Sequence, residues 1–156
     1  AMACMLDGKH VSWLPSYGPE MRGGTANCSV IVSDEDVASP LVDKADAVVA
    51  MNLPSLDKFE QSVKPGGVLV INSSIIERKS TRDDITVVYC DAMRLAEEVG
   101  NPKGANVAIL GALLEKMPIV SVDKMMEAIR IELGERKLRF LEGNKKALVA
   151  GMEAAK

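Results

Sequence analysis

The sequence predicts an α/β protein, a Rossmann-like three-layer domain with a mostly parallel sheet and a helical C-terminal segment. Three short apolar runs, each closed by Asn or Asp, are typical of buried parallel strands. A helical pattern separates the first two runs, and a longer helical region follows the third. With 156 residues, the chain is long enough for a single domain over 1–156 with a sizeable core.

The predicted parallel strands lie at Ala45–Asn52, Gly67–Ser74 and Ile85–Ala92. Between the first two, apolar residues in helical spacing predict a short helix that Ser55 caps and that the Pro65-Gly66-Gly67 run stops. The first two strands and this helix form a βαβ unit, whose crossover is expected to be right-handed.

The segment before this unit begins with helical spacing of Met2, Met5 and Leu6, and Gly8 suits the position after a helix end. Two further strands are predicted at His10–Leu14 and Ala26–Asp34, the second because it is rich in β-branched residues. A domain rarely begins inside a helix, so we expect a strand and a loop upstream.

The last 65 residues carry helical patterns separated by turn residues. Asp91 is predicted to cap a helix that Gly100 ends, and Lys103–Met117 is apolar on most sides and so predicted to be buried. Ser121 is predicted to cap the next helix. The final helix is expected to bend or break at Gly143.

Composition excludes several classes of function. The formal net charge of −3 argues against nucleic acid as the main partner. With one His and three scattered Cys, a transition-metal or iron–sulfur site in this chain is not expected, and the thiols are expected to be reduced and mostly buried. The sequence contains no apolar run long enough to span a bilayer and no recognisable secretory signal, so we expect a cytoplasmic protein without a membrane partner.

One loop holds an unusual set of residues, from Ser12 to Val30. Arg22 offers a planar donor fork for carboxylate or phosphate, and Gly23-Gly24 lets the backbone approach a ligand. The alternative is a hairpin-like turn on which Tyr17 packs and in which Glu20 pairs with Arg22. Composition leaves both interpretations open.

Polar residues also close the three predicted parallel strands. Asn52, Asn72 and Asp91 lie at the carboxyl ends, the edge where open α/β sheets bind ligands. Capping and turn formation are the alternative explanation. Asn106 lies early in an apolar helix, so it either makes internal hydrogen bonds or points at a ligand.

Several catalytic signatures are missing from the sequence. It contains neither a G-x-G-x-x-G run nor a Walker A motif. Because His10 is the only histidine, no Ser or Cys nucleophile has a plausible base nearby. The residues alone therefore predict an α/β domain with an Arg-Gly-Gly loop and no self-contained acyl-transfer or redox chemistry.

The segment LPSYGPEMRGGTANCSVIVSD resembles the hallmark of the gamma subunit of 2-oxoacid:ferredoxin oxidoreductases. SPLVDKADAVVAMNLPSLDKFEQSVKPGGVLVINSS, LAEEVGNPKGANVAILGALLE and NKKALVAGME resemble the same family in the same order. Together they are most similar to the 2-oxoglutarate branch, with pyruvate and indolepyruvate as alternatives. The family's gamma subunits open with a strand and a glycine loop leading into a helix, and this chain begins where that helix ends.

The resemblance implies a subunit of an enzyme that oxidatively decarboxylates a 2-oxoacid to acyl-CoA. In the implied heterotetramer the alpha and beta subunits hold thiamine diphosphate and magnesium, and a ferredoxin-like delta subunit holds iron–sulfur clusters. Ferredoxin or flavodoxin accepts the electrons, and coenzyme A the acyl group. This chain would hold none of these cofactors alone, would be inactive when isolated, and would tend to self-associate through exposed Met-rich surface.

The resemblance also implies which residues form the wall facing the partner subunits. They are Tyr17, Gly18, Glu20, Arg22, Gly23, Gly24, Thr25 and Asn27, and Asn106 falls near the coenzyme A site of relatives. The alternative function is a stand-alone Rossmann-like module that binds a nucleotide or regulates another protein.

Overall fold

The computed structural model describes residues 1–18 and 26–156. The chain divides into two compact units: Ala1–Asp43 with Val120–Ala128, and Lys44–Ile119 with Ile129–Lys156. The expectation of a single domain over 1–156 stays a prediction.

The first unit is built around an antiparallel hairpin. Helix α1 (Met2–Leu6) ends before Gly8, whose φ of 78° is the left-handed conformation predicted for the residue after a helix. Strand β1 (His10–Tyr17) pairs with β2 (Ala26–Ser33) along its whole length. The first strand thus extends three residues beyond the predicted Leu14, because every one of them has a partner on β2.

The second unit contains the predicted parallel sheet. Strands β3 (Ala45–Ala50), β4 (Val63–Asn72) and β5 (Thr86–Cys90) lie in the order β3-β4-β5, all parallel. The predicted α/β class with a parallel sheet is confirmed, with the β1–β2 hairpin as a separate antiparallel sheet.

Side chains alternate along β4 between two hydrophobic clusters, one on each face of the sheet. Leu69 and Ile71 lie in the cluster that contains Leu56 of helix α2 (Leu53–Phe59). Val68 and Val70 lie in the other cluster, with residues of helices α3 (Ala92–Glu98), α4 (Ala105–Lys116) and α6 (Leu141–Ala154). The unit is therefore layered α–β–α, as the sequence predicts.

The cap of α2 differs from the prediction. Asn52, not Ser55, is the capping residue, since its side-chain oxygen accepts a hydrogen bond of 3.0 Å from the backbone N–H of Ser55. Asn52 has the extended backbone that a cap requires, and Pro54 occupies the first turn, where its missing N–H costs nothing. A 3₁₀ segment, Glu60–Ser62, then leads into β4.

The C-terminal helices follow the predicted order. Asp91 caps α3 and Ser121 Oγ accepts from the N–H of Lys124 at 3.2 Å, so both predicted caps are confirmed. Helix α5 spans Val122–Leu133 and a 3₁₀ segment spans Glu135–Phe140. The predicted break at Gly143 is wrong, because α6 runs through it and the change of helix type falls between Phe140 and Leu141.

Helices α4 and α6 touch backbone to backbone at two glycines. A Cβ atom on Gly111 would lie 2.0 Å from the carbonyl oxygen of Leu148. A Cβ atom on Gly151 would lie 1.8 Å from the carbonyl oxygen of Ala108. Only glycine permits the two helix backbones to approach this closely.

Candidate functional site

Paired strands hold the two ends of the Arg-Gly-Gly loop next to each other. Tyr17 ends β1 and lies opposite Ala26, the first residue of β2. Gly18 follows directly in sequence, and Asn27 pairs with Ser16. The structure therefore brings Tyr17, Gly18 and Asn27 of the predicted site to one end of the hairpin.

The remaining loop residues of the predicted site lie outside the described residues, and their roles stay predictions. They are Glu20, Arg22, Gly23, Gly24 and Thr25. Tyr17 itself is 73% exposed. This exposure differs from the interpretation in which the Tyr17 ring packs on a turn.

One face of the hairpin consists of apolar side chains. Four cross-strand pairs, at every second position along β1 and β2, place their side chains on one face. We call this the hairpin face; its residues are Val11, Trp13, Pro15, Tyr17, Ala26, Cys28, Val30 and Val32. Trp13 is 59% exposed and Val30 is 42% exposed. The opposite face carries four serines with His10 and Asn27, and two apolar residues, Leu14 and Ile31. In a hairpin that packs on the core of its own chain, the apolar face would be buried, whereas here it is exposed to solvent.

The carboxyl ends of the parallel strands carry the three predicted polar residues, but each has a structural partner. Asn52 caps α2. Asn72 is buried; its Nδ2 donates to the carbonyl of Met51 at 3.4 Å, and its Oδ1 accepts from the N–H of Ser74 at 3.4 Å. Turn and cap formation, the second interpretation of these residues, therefore accounts for both asparagines.

Asp91 holds the start of α3 together with the turn after β4. Its carboxylate accepts from Ser74 Oγ at 2.8 Å and from Arg94 Nε at 3.0 Å. Ser74 Oγ in turn accepts from the N–H of Met93 at 2.9 Å. The hydrogen bond from Ser74, with those from Arg94, lowers the pKa of Asp91. The group is an ionised cap.

Asn106 is exposed on the first turn of α4. The interpretation of Asn106 as an internal hydrogen-bonding residue is therefore wrong. Its position on the solvent side of the helix follows from the 3.6-residue period, which puts Ala105 and Ala108 toward the sheet instead. Its predicted role toward coenzyme A stays a prediction.

A buried carboxylate that the sequence did not single out lies at Glu60. The residue is only 4% exposed, and it accepts hydrogen bonds from Ser80 Oγ at 2.7 Å and from the N–H of Thr81 at 2.7 Å. Arg78 Nη2 donates to it at 3.0 Å. The 76–85 connection, predicted as a charged surface segment, is thus tied to the end of α2 by buried polar contacts.

Arg82 reinforces the same attachment. Its Nη1 donates to the carbonyl of Val63 at 2.7 Å and to that of Glu60 at 3.2 Å. Burial works to raise the pKa of Glu60, but the hydrogen bonds from Ser80, Thr81 and Arg78 outweigh it, so its pKa lies below the ordinary 4.5. Because donors occupy both carboxylate oxygens, Glu60 holds the 76–85 segment in position and has a structural role.

The three cysteines differ in exposure. Cys4 and Cys90 are buried and Cys28 is exposed on the hairpin face, so most of the thiols are buried, as predicted. Burial, with the nearby charge of Asp91, raises the pKa of Cys90 to about 11. Cys90 is therefore an inert core thiol.

Within residues 1–18 and 26–156, no group of three or more His, Cys, Asp or Glu side chains is arranged to hold a metal ion. In the same part of the chain, none of the helices combines the length and the apolar character that crossing a membrane requires.

Comparison with known proteins identifies the family. The sequence profile described as "Pyruvate ferredoxin/flavodoxin oxidoreductase" matches residues 1–154. The chain belongs to the pyruvate ferredoxin/flavodoxin oxidoreductase family. The resemblance on which the sequence prediction rested is confirmed at this level.

Two curated relatives with equal sequence identity to this chain are named for different substrates. Ketoisovalerate oxidoreductase subunit VorA of Methanothermobacter marburgensis is 36% identical over 158 residues, which take in 100% of this chain and 32% of VorA. 2-Oxoglutarate synthase subunit KorC of Methanocaldococcus jannaschii is 36% identical over 129 residues, 81% of this chain and 69% of KorC. The chain thus spans about a third of the length of the VorA relative.

Solved structures of family members share the fold. The gamma subunit of a keto/oxoacid ferredoxin oxidoreductase from Geobacter sulfurreducens has a TM-score of 0.79 and 32% identity, over 99% of this chain and 86% of that one. A 2-oxoglutarate:ferredoxin oxidoreductase from Magnetococcus marinus has a TM-score of 0.86 at 22% identity, over 99% of this chain and 27% of that one. The second likeness is one of fold, and it places this fold inside a much longer chain.

Proposed function

We propose that this chain is the gamma subunit, or the gamma region, of a 2-oxoacid:ferredoxin or flavodoxin oxidoreductase. The observation that carries the proposal is the family match over residues 1–154, supported by the 32% identical gamma subunit of the same fold. The reaction of such a complex is R–CO–COO⁻ + CoA–SH → R–CO–S–CoA + CO₂ + H⁺ + 2 e⁻. The two electrons pass to ferredoxin or flavodoxin.

The proposal divides the work among subunits. Alpha and beta subunits hold thiamine diphosphate and magnesium, where decarboxylation takes place, and a ferredoxin-like delta subunit carries the iron–sulfur clusters. The gamma chain packs on the thiamine-binding subunits and lines the active centre and the coenzyme A route. In this cytoplasmic heterotetramer the chain completes a site whose cofactor another subunit holds.

The first candidate substrate is 2-oxoglutarate, which would give succinyl-CoA, the acyl-CoA of the tricarboxylic acid cycle. The 36% identical KorC relative, whose length this chain largely matches, supports it. Ketoisovalerate is the second candidate, because the VorA relative is equally similar and aligns with all of this chain.

The residues assigned to the partner-facing wall are those at the tip of the hairpin and in its loop, together with Asn106. The pairing of Tyr17 with Ala26 supports the assignment, since it presents both ends of the loop at one place. Within the loop, Arg22 supplies positive charge near coenzyme A phosphates or a substrate carboxylate, and Glu20 fixes its rotamer.

Reconstitution tests the proposed function. This chain is co-expressed with the alpha, beta and delta subunits from the same genome, and reduction of ferredoxin is followed with 2-oxoglutarate, ketoisovalerate, pyruvate and indolepyruvate in the presence of coenzyme A. We expect activity with one of these acids, dependent on this chain. A chain that binds a nucleotide alone, as a stable monomer, and whose omission leaves the complex active, would contradict the proposal and favour a stand-alone module.

Substitution of Arg22 tests the role of the loop. Arg22→Lys keeps the charge and loses the bidentate fork, so we expect a raised KM for coenzyme A or the oxoacid in the intact complex. Unchanged Michaelis constants would show that Arg22 has no part in ligand binding. Loss of co-purification in Arg22→Ala would instead assign the loop to assembly.

A further inference from the structure

The hairpin face is apolar and exposed, which indicates a surface that another body covers. A two-stranded hairpin is marginally stable by itself and gains stability when one face packs on another body. Here all eight side chains of the hairpin face are uncharged, and its two aromatic residues, Trp13 and Tyr17, are 59% and 73% exposed. Trp and Tyr are the residue types that most often dominate binding at the centre of an interface.

The area of the hairpin face argues against a dimer of this chain that is held together by this face alone. With about 200 Å² for each aromatic side chain, the exposed part of the face comes to about 500 Å². Two copies packed face to face would bury at most about 1,000 Å², below the range of about 1,200 to 2,000 Å² for stable complexes. A stable interface therefore has to extend beyond the hairpin face, which forms only its centre.

The length of the relatives indicates which body that is. In VorA the region equivalent to this chain makes up 32% of one polypeptide. In KorC and in the Geobacter gamma subunit the equivalent region makes up 69% and 86%. The same domain thus occurs both joined to a region of about twice its own length, as in VorA, and largely without it, so the joined region is its natural neighbour.

We infer that the hairpin face docks on the polypeptide region corresponding to the remaining two thirds of VorA, with Trp13 at the centre of the contact. This inference rests on the proposed function, because that region belongs to the same oxidoreductase. The hairpin face shares only Tyr17 with the residues assigned to the partner-facing wall, and its side chains project from the strands rather than from the loop between them. The absence of charge on the face predicts an association that depends little on salt.

Co-expression of the tagged chain with that partner polypeptide, from the same genome, tests the inference. Trp13→Ser and Val30→Ser should each weaken the complex, Trp13→Ser by at least about thirtyfold in Kd. Leu14→Ser is the matched control: Leu14 is 39% exposed, close to the 42% of Val30, but projects from the opposite face of the hairpin. It should leave Kd unchanged. Thermal unfolding of each isolated variant verifies that it is folded.

Cysteine labelling provides a readout on the unmodified chain. Cys28 lies on the hairpin face and is exposed, while Cys4 and Cys90 are buried and serve as internal controls. In the isolated chain N-ethylmaleimide should modify Cys28 first. In the complex its modification rate should fall to that of the two buried thiols.

The outcomes separate the inference from the proposed function. If the complex forms and is active but Cys28 stays reactive and Trp13→Ser binds normally, the inference is overturned and the function stands. If no complex forms with the unmodified chain, the proposed function fails and the inference fails with it. If the isolated chain dimerises and Trp13→Ser abolishes the dimer, the occupant is a second copy, which also overturns the inference.

Discussion

Glu60 shows how a single buried carboxylate can hold a long connection in place. Its partners, Ser80, Thr81 and Arg78, lie about twenty residues away in sequence, on the segment between β4 and β5. A buried carboxylate is tolerated only when such donors replace its hydration. The stability of the 76–85 segment should therefore depend on the charge of this one residue.

Replacing Glu60 by Gln keeps the shape of the side chain and removes the charge. We expect Glu60→Gln to lower the free energy of unfolding by about 2 to 3 kcal/mol, since the amide has no charge and places a donor where one acceptor oxygen faced the donors of Ser80, Thr81 or Arg78. Urea unfolding measures the change. Glu77→Gln, at an exposed position of the same segment, is the control and should lie within about 0.5 kcal/mol of the unmodified chain. Equal effects of the two substitutions would contradict the role of Glu60.

The lowered pKa of Glu60 makes part of the stability depend on pH. A carboxyl whose folded-state pKa lies below its unfolded value contributes stability that is fully present above the ordinary 4.5 and is lost as pH falls through the folded pKa. We expect the free energy of unfolding to fall on acidification below about pH 4.5, and more steeply than in Glu60→Gln. Asp91 also titrates in this range in both proteins, so the difference between them isolates Glu60. Parallel pH curves would refute the assignment.

At the scale of elements, the contact between α4 and α6 depends on glycine. Gly151→Ala would place a methyl group 1.8 Å from the backbone carbonyl of Ala108, and backbone cannot move aside as a side chain can. We expect a loss of about 3 kcal/mol in the free energy of unfolding. Gly143→Ala in the same helix meets Asn101 Cβ at an ordinary 3.4 Å and should be neutral or stabilise by up to about 1 kcal/mol. Two changes of the same sign and size would disprove close packing at Gly151.

The start of α2 offers a second test at this scale. Asn52→Ala removes the side chain that accepts from the N–H of Ser55, and should cost about 1 kcal/mol. Ser55→Ala leaves that bond intact because Ser55 contributes only its backbone, so its effect should be smaller. Thermal unfolding of both variants decides which residue is the cap. A larger effect at Ser55 would restore the assignment made from sequence.

Elements whose signal is local were predicted well from sequence. The runs around Val48, Val70 and Val88 are apolar because both faces of their sheet are covered by other residues. A continuous apolar run of this kind predicts a buried parallel strand from sequence alone. Glu60 was missed because its burial depends on residues twenty positions away. The exposure of Asn106 and of Cys28 was not predictable, because composition does not tell which side of an amphipathic element faces solvent.

At the scale of the whole molecule, the Arg-Gly-Gly loop could be recognised from its sequence, but its position in the fold could not be predicted. Tyr17, Gly18 and Asn27 converge at one end of the hairpin, while Glu20 through Thr25 lie outside the described residues. The family was recoverable from sequence because its segments recur in order over almost the full chain. The branch was not, since relatives of two substrate classes are equally similar.

The purified chain alone should be colourless, free of iron and inactive with any 2-oxoacid, because the proposed function assigns every cofactor to other subunits. Metal analysis and an assay with each of the four oxoacids measure this. Activity of the isolated chain would require a catalytic site that the proposal does not contain. Addition of the partner subunits supplies the positive control.

The fluorescence of Trp13 reports on the folding of the first unit. Trp13 is the only tryptophan, and it lies in the unit that contains the hairpin, whereas most of the helical backbone belongs to the other unit. Fluorescence excited at the indole therefore follows the first unit, and far-ultraviolet circular dichroism is weighted toward the second. A single folding domain requires the two melting curves to superimpose. Curves that separate would show instead that the chain carries two cooperative bodies, each of which can open while the other stays folded.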